Sequence, residues 1–152
     1  MYRTKSLWLA LLASTYLAQP MVEAEARNCA KITDRMPDAQ TIIDKQLAMN
    51  RQTWASLLKH GVTEHTPLRL DFFYISPTQS VAQCLVDLMR AETDYDVEKP
   101  SPSDGTWKVS GSTQPTRVAP DVLDEWVKWM VVAGIRSGGS VFDGWGTEIP
   151  PK

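Results

Sequence analysis

The segment that most constrains the fold lies near the C-terminal end: Val141-Phe142-Asp143-Gly144-Trp145-Gly146-Thr147-Glu148-Ile149. Strict alternation puts Val141, Asp143, Trp145, Thr147 and Ile149 on one face of a strand. Phe142, Gly144, Gly146 and Glu148 then fall on the other. Glycine in a strand costs backbone entropy and packing, so two on one face mark a bulge, a twist, or a place where another backbone or ring comes close. Trp145 shows its ring to the opposite side. The segment reads as a closing strand, with a recognition surface as the competing reading.

The other end of the chain has a different character. Arg3 and Lys5 precede a mostly apolar run over residues 7–18, Gln19-Pro20 breaks it, and Ala24-Glu25-Ala26 offers a small-x-small cleavage site. This is the layout of a secretory signal peptide over residues 1–26, with cleavage after Ala24 or Ala26 both open. The apolar run is short for a membrane span, so the expectation is a periplasmic or secreted protein with no stable span once the leader is removed. Residues 27–36 read as a loose lead-in and 37–152 as one domain. The formal net charge of −2, with no basic stripe, gives no footing for nucleic acid. The two cysteines, Cys29 and Cys84, can pair in an oxidising compartment. Cys84 also fits the buried face of its own helix as a free thiol, and both readings stay open.

Between these ends the pattern alternates between periods. Pro37-Asp38 opens a helix carrying Ile42, Ile43, Leu47, Trp54, Leu57 and Leu58, with a break expected near Met49-Asn50 and a stop at Gly61. Residues 68–75 read as a strand. Leu68, Leu70, Phe72 and Tyr74 share one face; Arg69, Asp71, Phe73 and Ile75 share the other. A sheet wetted on one side alternates more cleanly than this, so Phe73 and Ile75 call for a cover, either the first helix or a second subunit. Ser76-Pro77-Thr78-Gln79 predicts a capped helix with Ser76 as its cap and Val81, Cys84, Leu85, Leu88 and Met89 buried. Residues 94–99 alternate as a short strand, 100–105 are turn chemistry throughout, and 106–113 return as a strand with Trp107 and Val109 inside. Pro120 opens the last helix, where Leu123, Trp126, Val127, Met130 and Val131 form a core stripe and Gly138-Gly139 a stop. The expected class is α+β: a ferredoxin-like β-α-β-β-α-β antiparallel sheet with an extra N-terminal helix.

With the order in place, Phe142-Asp143-Gly144-Trp145-Gly146-Thr147 resembles the terminal signature of the RraB family, regulators of ribonuclease E. A helix ending in His60-Gly61, then Pro67-Leu68-Arg69-Leu70-Asp71-Phe72-Phe73-Tyr74, is similar to that family's first strand and its approach. The Tyr95-Asp96-Val97 strand also sits where the family has one. The resemblance covers residues 38–149. It implies a ferredoxin-like α+β fold and a non-enzymatic, protein-binding role in which founding members inhibit ribonuclease E. Those members are cytoplasmic, whereas the leader here sends the chain out of the cytoplasm. The expected partner is therefore an inhibited enzyme or a toxin, as for a periplasmic immunity-type protein. Ribonuclease E is the target only if the leader is misread.

Few residues suggest catalysis. His60 and His65 have no companion ligands at metal spacing, so no metal and no cofactor are expected. Arg136-Ser137-Gly138-Gly139-Ser140 leaves a helix and enters a strand, the wrong polarity for a phosphate loop. Asp71 and Asp143 are the acids most suited to a pair, and nothing in the pattern brings them together. The candidate protein-binding residues are Phe73, Trp129, Asp143 and Trp145. Trp129 widens the apolar face of its helix beyond what a half-exposed helix needs, which marks a partner site where that flank is exposed. A homodimer, with the second subunit packed over the Phe73 and Ile75 side of the sheet, is a further expectation. A small-ligand-binding or enzymatic ferredoxin-like domain is the rival from another class.

Overall fold

Leu70, Phe72, Tyr74 and Ser76 are buried while Phe73 between them is 40 % exposed. That alternation marks the strand around which the computed structural model of the chain is built. The structure describes Cys29 and residues 39–149. The predicted signal peptide, most of the lead-in, and the Pro37-Asp38 helix start lie outside the described residues.

The elements are α1 (Ala39–Lys59), β1 (Pro67–Leu68), β2 (Leu70–Ser76), α2 (Gln79–Glu92), β3 (Asp96–Val97), β4 (Ser101–Ser103), β5 (Thr106–Ser112), β6 (Thr116–Arg117), α3 (Pro120–Arg136) and β7 (Val141–Thr147). The chain is thus a mixed α+β fold, with three helices and antiparallel sheets among the described residues. In the main sheet the order is β3-β5-β2-β7, with β4 also paired to β5. β1 and β6 form a separate two-stranded ribbon that the sequence pattern did not announce.

The core lies on one side of the main sheet. Phe72, Tyr74, Val109 and Phe142 from the strands pack with Ala82, Leu85, Val86 and Met89 of α2 and with Val127, Met130, Val131 and Ala133 of α3. Full burial of apolar side chains this size stabilises by about 1.5–3 kcal/mol each. A smaller cluster of Leu57, Val62, Leu68, Leu70, Val118 and Leu123 extends the core under the β1–β6 ribbon. Tyr74 is wholly buried, and its hydroxyl donates to Met130 O at 2.7 Å. Burial pushes its pKa well above the ordinary tyrosine value.

Several local expectations change on folding. α1 runs unbroken through Met49-Asn50, because Asn50 is held by partners from other elements. It packs on α3, on the helical side of the sheet, so it does not cover Phe73. The cap of α2 is Thr78, whose hydroxyl accepts from Val81 N at 3.2 Å. Ser76 ends β2 instead, buried against Ser140 Oγ at 2.7 Å. The segment read as continuous turn is mostly strand: Ser101–Ser103 pairs with β5, and only Asp104 and Gly105 take positive φ, 45° and 75°. That is the geometry of a tight Asp-Gly hairpin, and Pro102 is tolerated because β4 is an edge strand. Gly61, at φ 85°, closes α1 as expected, with its N–H donating to Leu58 O.

Candidate functional site

The side of the main sheet opposite the helices is built by register. Asp71, Phe73 and Ile75 of β2 stand opposite Ser112, Ser110 and Lys108 of β5. On the other flank they stand opposite Gly146, Gly144 and Val141 of β7. Directly opposed residues share a face, so these three rows form one surface. Its apolar centre is Phe73 at 40 % exposure and Val141 at 36 %, with Ile75 half-buried between them. Lys108 and Asp71 lie in its outer rows. Arg69 borders it, donating from Nη2 to Asp96 at 2.8 Å and to Ser112 Oγ. Along the same β3 margin Ser110 Oγ donates to Glu98 at 2.7 Å.

Strict alternation does not survive in β7. The register shifts between Phe73 and Tyr74, leaving Asp143 as the extra residue of a bulge beside Gly144. Gly144 takes φ 134°, which favours glycine. The bulge turns Phe142 and Trp145 to the same, helical side, opposite Tyr74 and Phe72, where period two had separated them. Asp143 is left exposed on an edge strand. A charge on a bulge there blunts the edge against pairing with other strands.

The four residues singled out for partner binding therefore do not form one patch. Phe73 and Asp143 are exposed next to each other, with Gly144 directly opposite Phe73. Trp145 is half-buried on the helical side. Its ring meets Trp126 edge-on at 6.3 Å, and its Nε1 donates to Asn50 Oδ1 at 2.7 Å. Asn50 Nδ2 in turn donates to Asp124 at 2.9 Å, so the tryptophan ties β7 to α1 and α3. Trp129 is half-buried against Tyr95, ring centroids 6.4 Å apart. Within the signature, Thr147 donates to Arg69 O at 2.8 Å. Gly146 has no positive φ, and a Cβ placed on it would meet nothing within 4 Å.

Residues that the pattern missed hold this site in place. Gln46 and Asn50 are 4 % and 2 % exposed, and Gln46 Nε2 donates to Phe142 O at 3.1 Å. Their spacing of four on the stripe that carries Ile42 and Leu47 was the available signal, since buried amides on an apolar stripe need specific partners. Cys29 and Cys84 are joined in a disulfide, Cα atoms 5.8 Å apart, which fastens the segment before α1 to α2.

Two depressions mark the surface, the first bordering the Phe73 face at Arg69 and Ser112. One, of 390 Å³, is lined by Arg69, Arg90, Asp96 and Glu98; the other, of 380 Å³, by Tyr95, Trp126, Val118 and Val122. In the second, Trp126 Nε1 donates to Tyr95 Oη at 3.1 Å. Burial raises the Tyr95 pKa, the Trp126 hydrogen bond works against that, and the neighbouring Asp94 charge adds to it. Among the described residues, no group of three His, Cys, Asp or Glu stands close enough to hold a metal ion, and no helix is long and apolar enough to cross a membrane. Asp71 and Asp143 both border the Phe73 face, two rows of β2 apart, with no hydrogen bond between them among those the structure makes.

Compared with known protein families and with curated proteins, the chain matches none.

Proposed function

We propose that this protein is an exported, non-enzymatic inhibitor or regulator that binds another protein through an RraB-like, ferredoxin-like domain. The observation that carries the reading is the uncovered sheet face with Phe73 at its centre. A large aromatic ring 40 % exposed on a face that no helix among the described residues covers is the kind of anchor that protein interfaces use. The ferredoxin-like assignment is supported by the β3-β5-β2-β7 order and by two helices, α2 and α3, packed on the same side. Family membership is supported by the Asp143-Gly144-Trp145-Gly146-Thr147 signature.

The target is placed outside the cytoplasm, as a toxin or hydrolase met by an immunity-type protein. Two features support that placement over ribonuclease E. The leader pattern over residues 1–26 is one. The Cys29–Cys84 disulfide is the other, because such bonds persist in oxidising compartments. Inhibition by this route needs no bond made or broken: the bound domain blocks the target's working surface.

The test is capture from a periplasmic extract with the wild-type protein and Phe73→Glu in parallel. A protein retained by the wild type and lost with the variant is the expected result. No retained protein, or equal retention by both, contradicts the proposal.

A further inference from the structure

The depression beside the start of α3 sets one uncompensated negative charge next to two fixed aromatic rings. From that combination we infer that it binds a small quaternary ammonium ion. This inference goes beyond the target-binding reading and does not depend on it.

Its walls are in place before any ligand arrives. The volume of 380 Å³ lies within the range of small-molecule sites, which are mostly apolar with a few placed polar groups. Buried Leu70 and Val118 line it from the core side, and Val122, 51 % exposed, stands at its rim. These give the methyl groups of a ligand apolar surface to cover. Tyr95 and Trp126 supply the rings. Trp126 meets Trp145 and Phe142 edge-on, with ring centroids 6.3 and 6.2 Å away. Tyr95 packs against Phe72 and Trp129 at 5.8 and 6.4 Å. The bond from Trp126 Nε1 to the Tyr95 hydroxyl ties the two rings together. Groups already fixed lose little freedom on binding.

Charge selects the ligand. Asp94 is the only charged residue among the described residues that line the depression. Its carboxylate is exposed and makes no ion pair or hydrogen bond among the described residues. Only its backbone oxygen is engaged, accepting from Gln114 Nε2 at 3.1 Å. The charge acts on the ring beside it: burial raises the Tyr95 pKa, the Trp126 bond lowers it, and Asp94 raises it again. Tyr95 is therefore neutral near pH 7, and the site holds a single negative charge. A cation near an aromatic face gains from the ring quadrupole, most of all with tryptophan, and quaternary ammonium is the group that aromatic cages take. A primary ammonium brings three N–H donors that each need an acceptor, and the Tyr95 oxygen already accepts from Trp126. A quaternary head has no such need. The same head occurs on free cations and on choline lipids, so the test separates the two.

The experiment is an NMR titration of the intact protein with choline, read at the indole N–H signal of Trp126. A ligand of this size saturates the signal with a Kd on the order of 1 mM. Asp94→Asn weakens binding about five- to tenfold. Val122→Arg, which places a competing cation at the rim, abolishes it. Both positions are exposed, so the two variants melt with the wild type. The neutral isostere of choline, with a tert-butyl group in place of trimethylammonium, binds at least about fivefold more weakly. Choline bound by a protein that stays off phosphatidylcholine vesicles assigns a free cation. Pelleting with those vesicles that Val122→Arg prevents assigns a lipid headgroup. The inference is overturned by the lack of a saturable shift up to about 50 mM choline. It is equally overturned by an isostere that binds as well as choline, or by folded Asp94→Asn and Val122→Arg proteins that bind like the wild type.

Discussion

Gly134→Ala opposes helix propensity to packing, and the structure decides the sign. Gly134 sits inside α3, where alanine is worth about 1 kcal/mol more than glycine by propensity. The Cβ it would carry lands 2.2 Å from the backbone oxygen of Ser140 and 3.1 Å from Tyr74 Cε1. Neither neighbour can yield easily. Ser140 N and Gly139 N both donate to Gly134 O, and Ser140 Oγ is tied to Ser76 and Ser137. Tyr74 is fixed by its bond to Met130 O. Overpacking of this kind costs about 1–3 kcal/mol and more where backbone must move. At 2.2 Å from a backbone atom the gross cost passes the top of that range, to about 3–4 kcal/mol, so the steric term wins with a net loss of about 2–3 kcal/mol, or roughly 8–15 °C in Tm for a domain of this size. Urea unfolding followed by tryptophan fluorescence measures it. Gly146→Ala is the matched control, because its Cβ enters open space, and it changes stability by less than about 0.5 kcal/mol. A Gly134→Ala protein as stable as the wild type, or more so, would refute the packing of α3 against the strand that follows it.

Three further outcomes follow from the same contacts. Reducing the Cys29–Cys84 disulfide, or Cys29→Ser, releases a loop spanning 55 residues and costs roughly 4 kcal/mol by loop-closure entropy; unfolding midpoints with and without reductant check it, and equal midpoints contradict it. Asn50→Ala strips Trp145 Nε1 and Asp124 of their partner and destabilises by about 1–3 kcal/mol, measured by thermal melting against an Arg51→Ala surface control. The folded-state pKa of Tyr74 is raised by burial, so its contribution is complete below the unfolded value near 10 and is lost as pH rises from there toward the folded pKa; Tyr74→Phe removes that alkaline slope in a stability–pH series, while an unchanged slope shows that another group carries it.

What could be read in advance depended on how local the deciding interaction was. The burial of Leu70, Phe72 and Tyr74 follows from neighbours two apart, and the cap at Gly61 from one residue's backbone freedom. Both were legible. Asn50 looked like a helix break because its partners, Asp124 and Trp145, are 74 and 95 residues away. Ser101-Pro102-Ser103 has turn composition, and only its place at the sheet edge makes it a strand. The faces of β7 were misjudged for a related reason. Alternation alone cannot say where an extra residue enters, and the bulge at Asp143 moves Trp145 to the helical side. So of the candidate surface Phe73 was visible as one apolar residue too many, while Trp145 and Trp129 proved to be half-buried against aromatic neighbours.

The most direct measurement of the central claim is radical footprinting of Phe73 inside intact cells, compared with the purified protein in dilute solution. A face that works by being covered predicts that Phe73 is oxidised readily in the dilute sample and strongly protected in the cell, while exposed Leu58 on α1 reacts equally in both. Equal oxidation of Phe73 in the two settings would contradict the account.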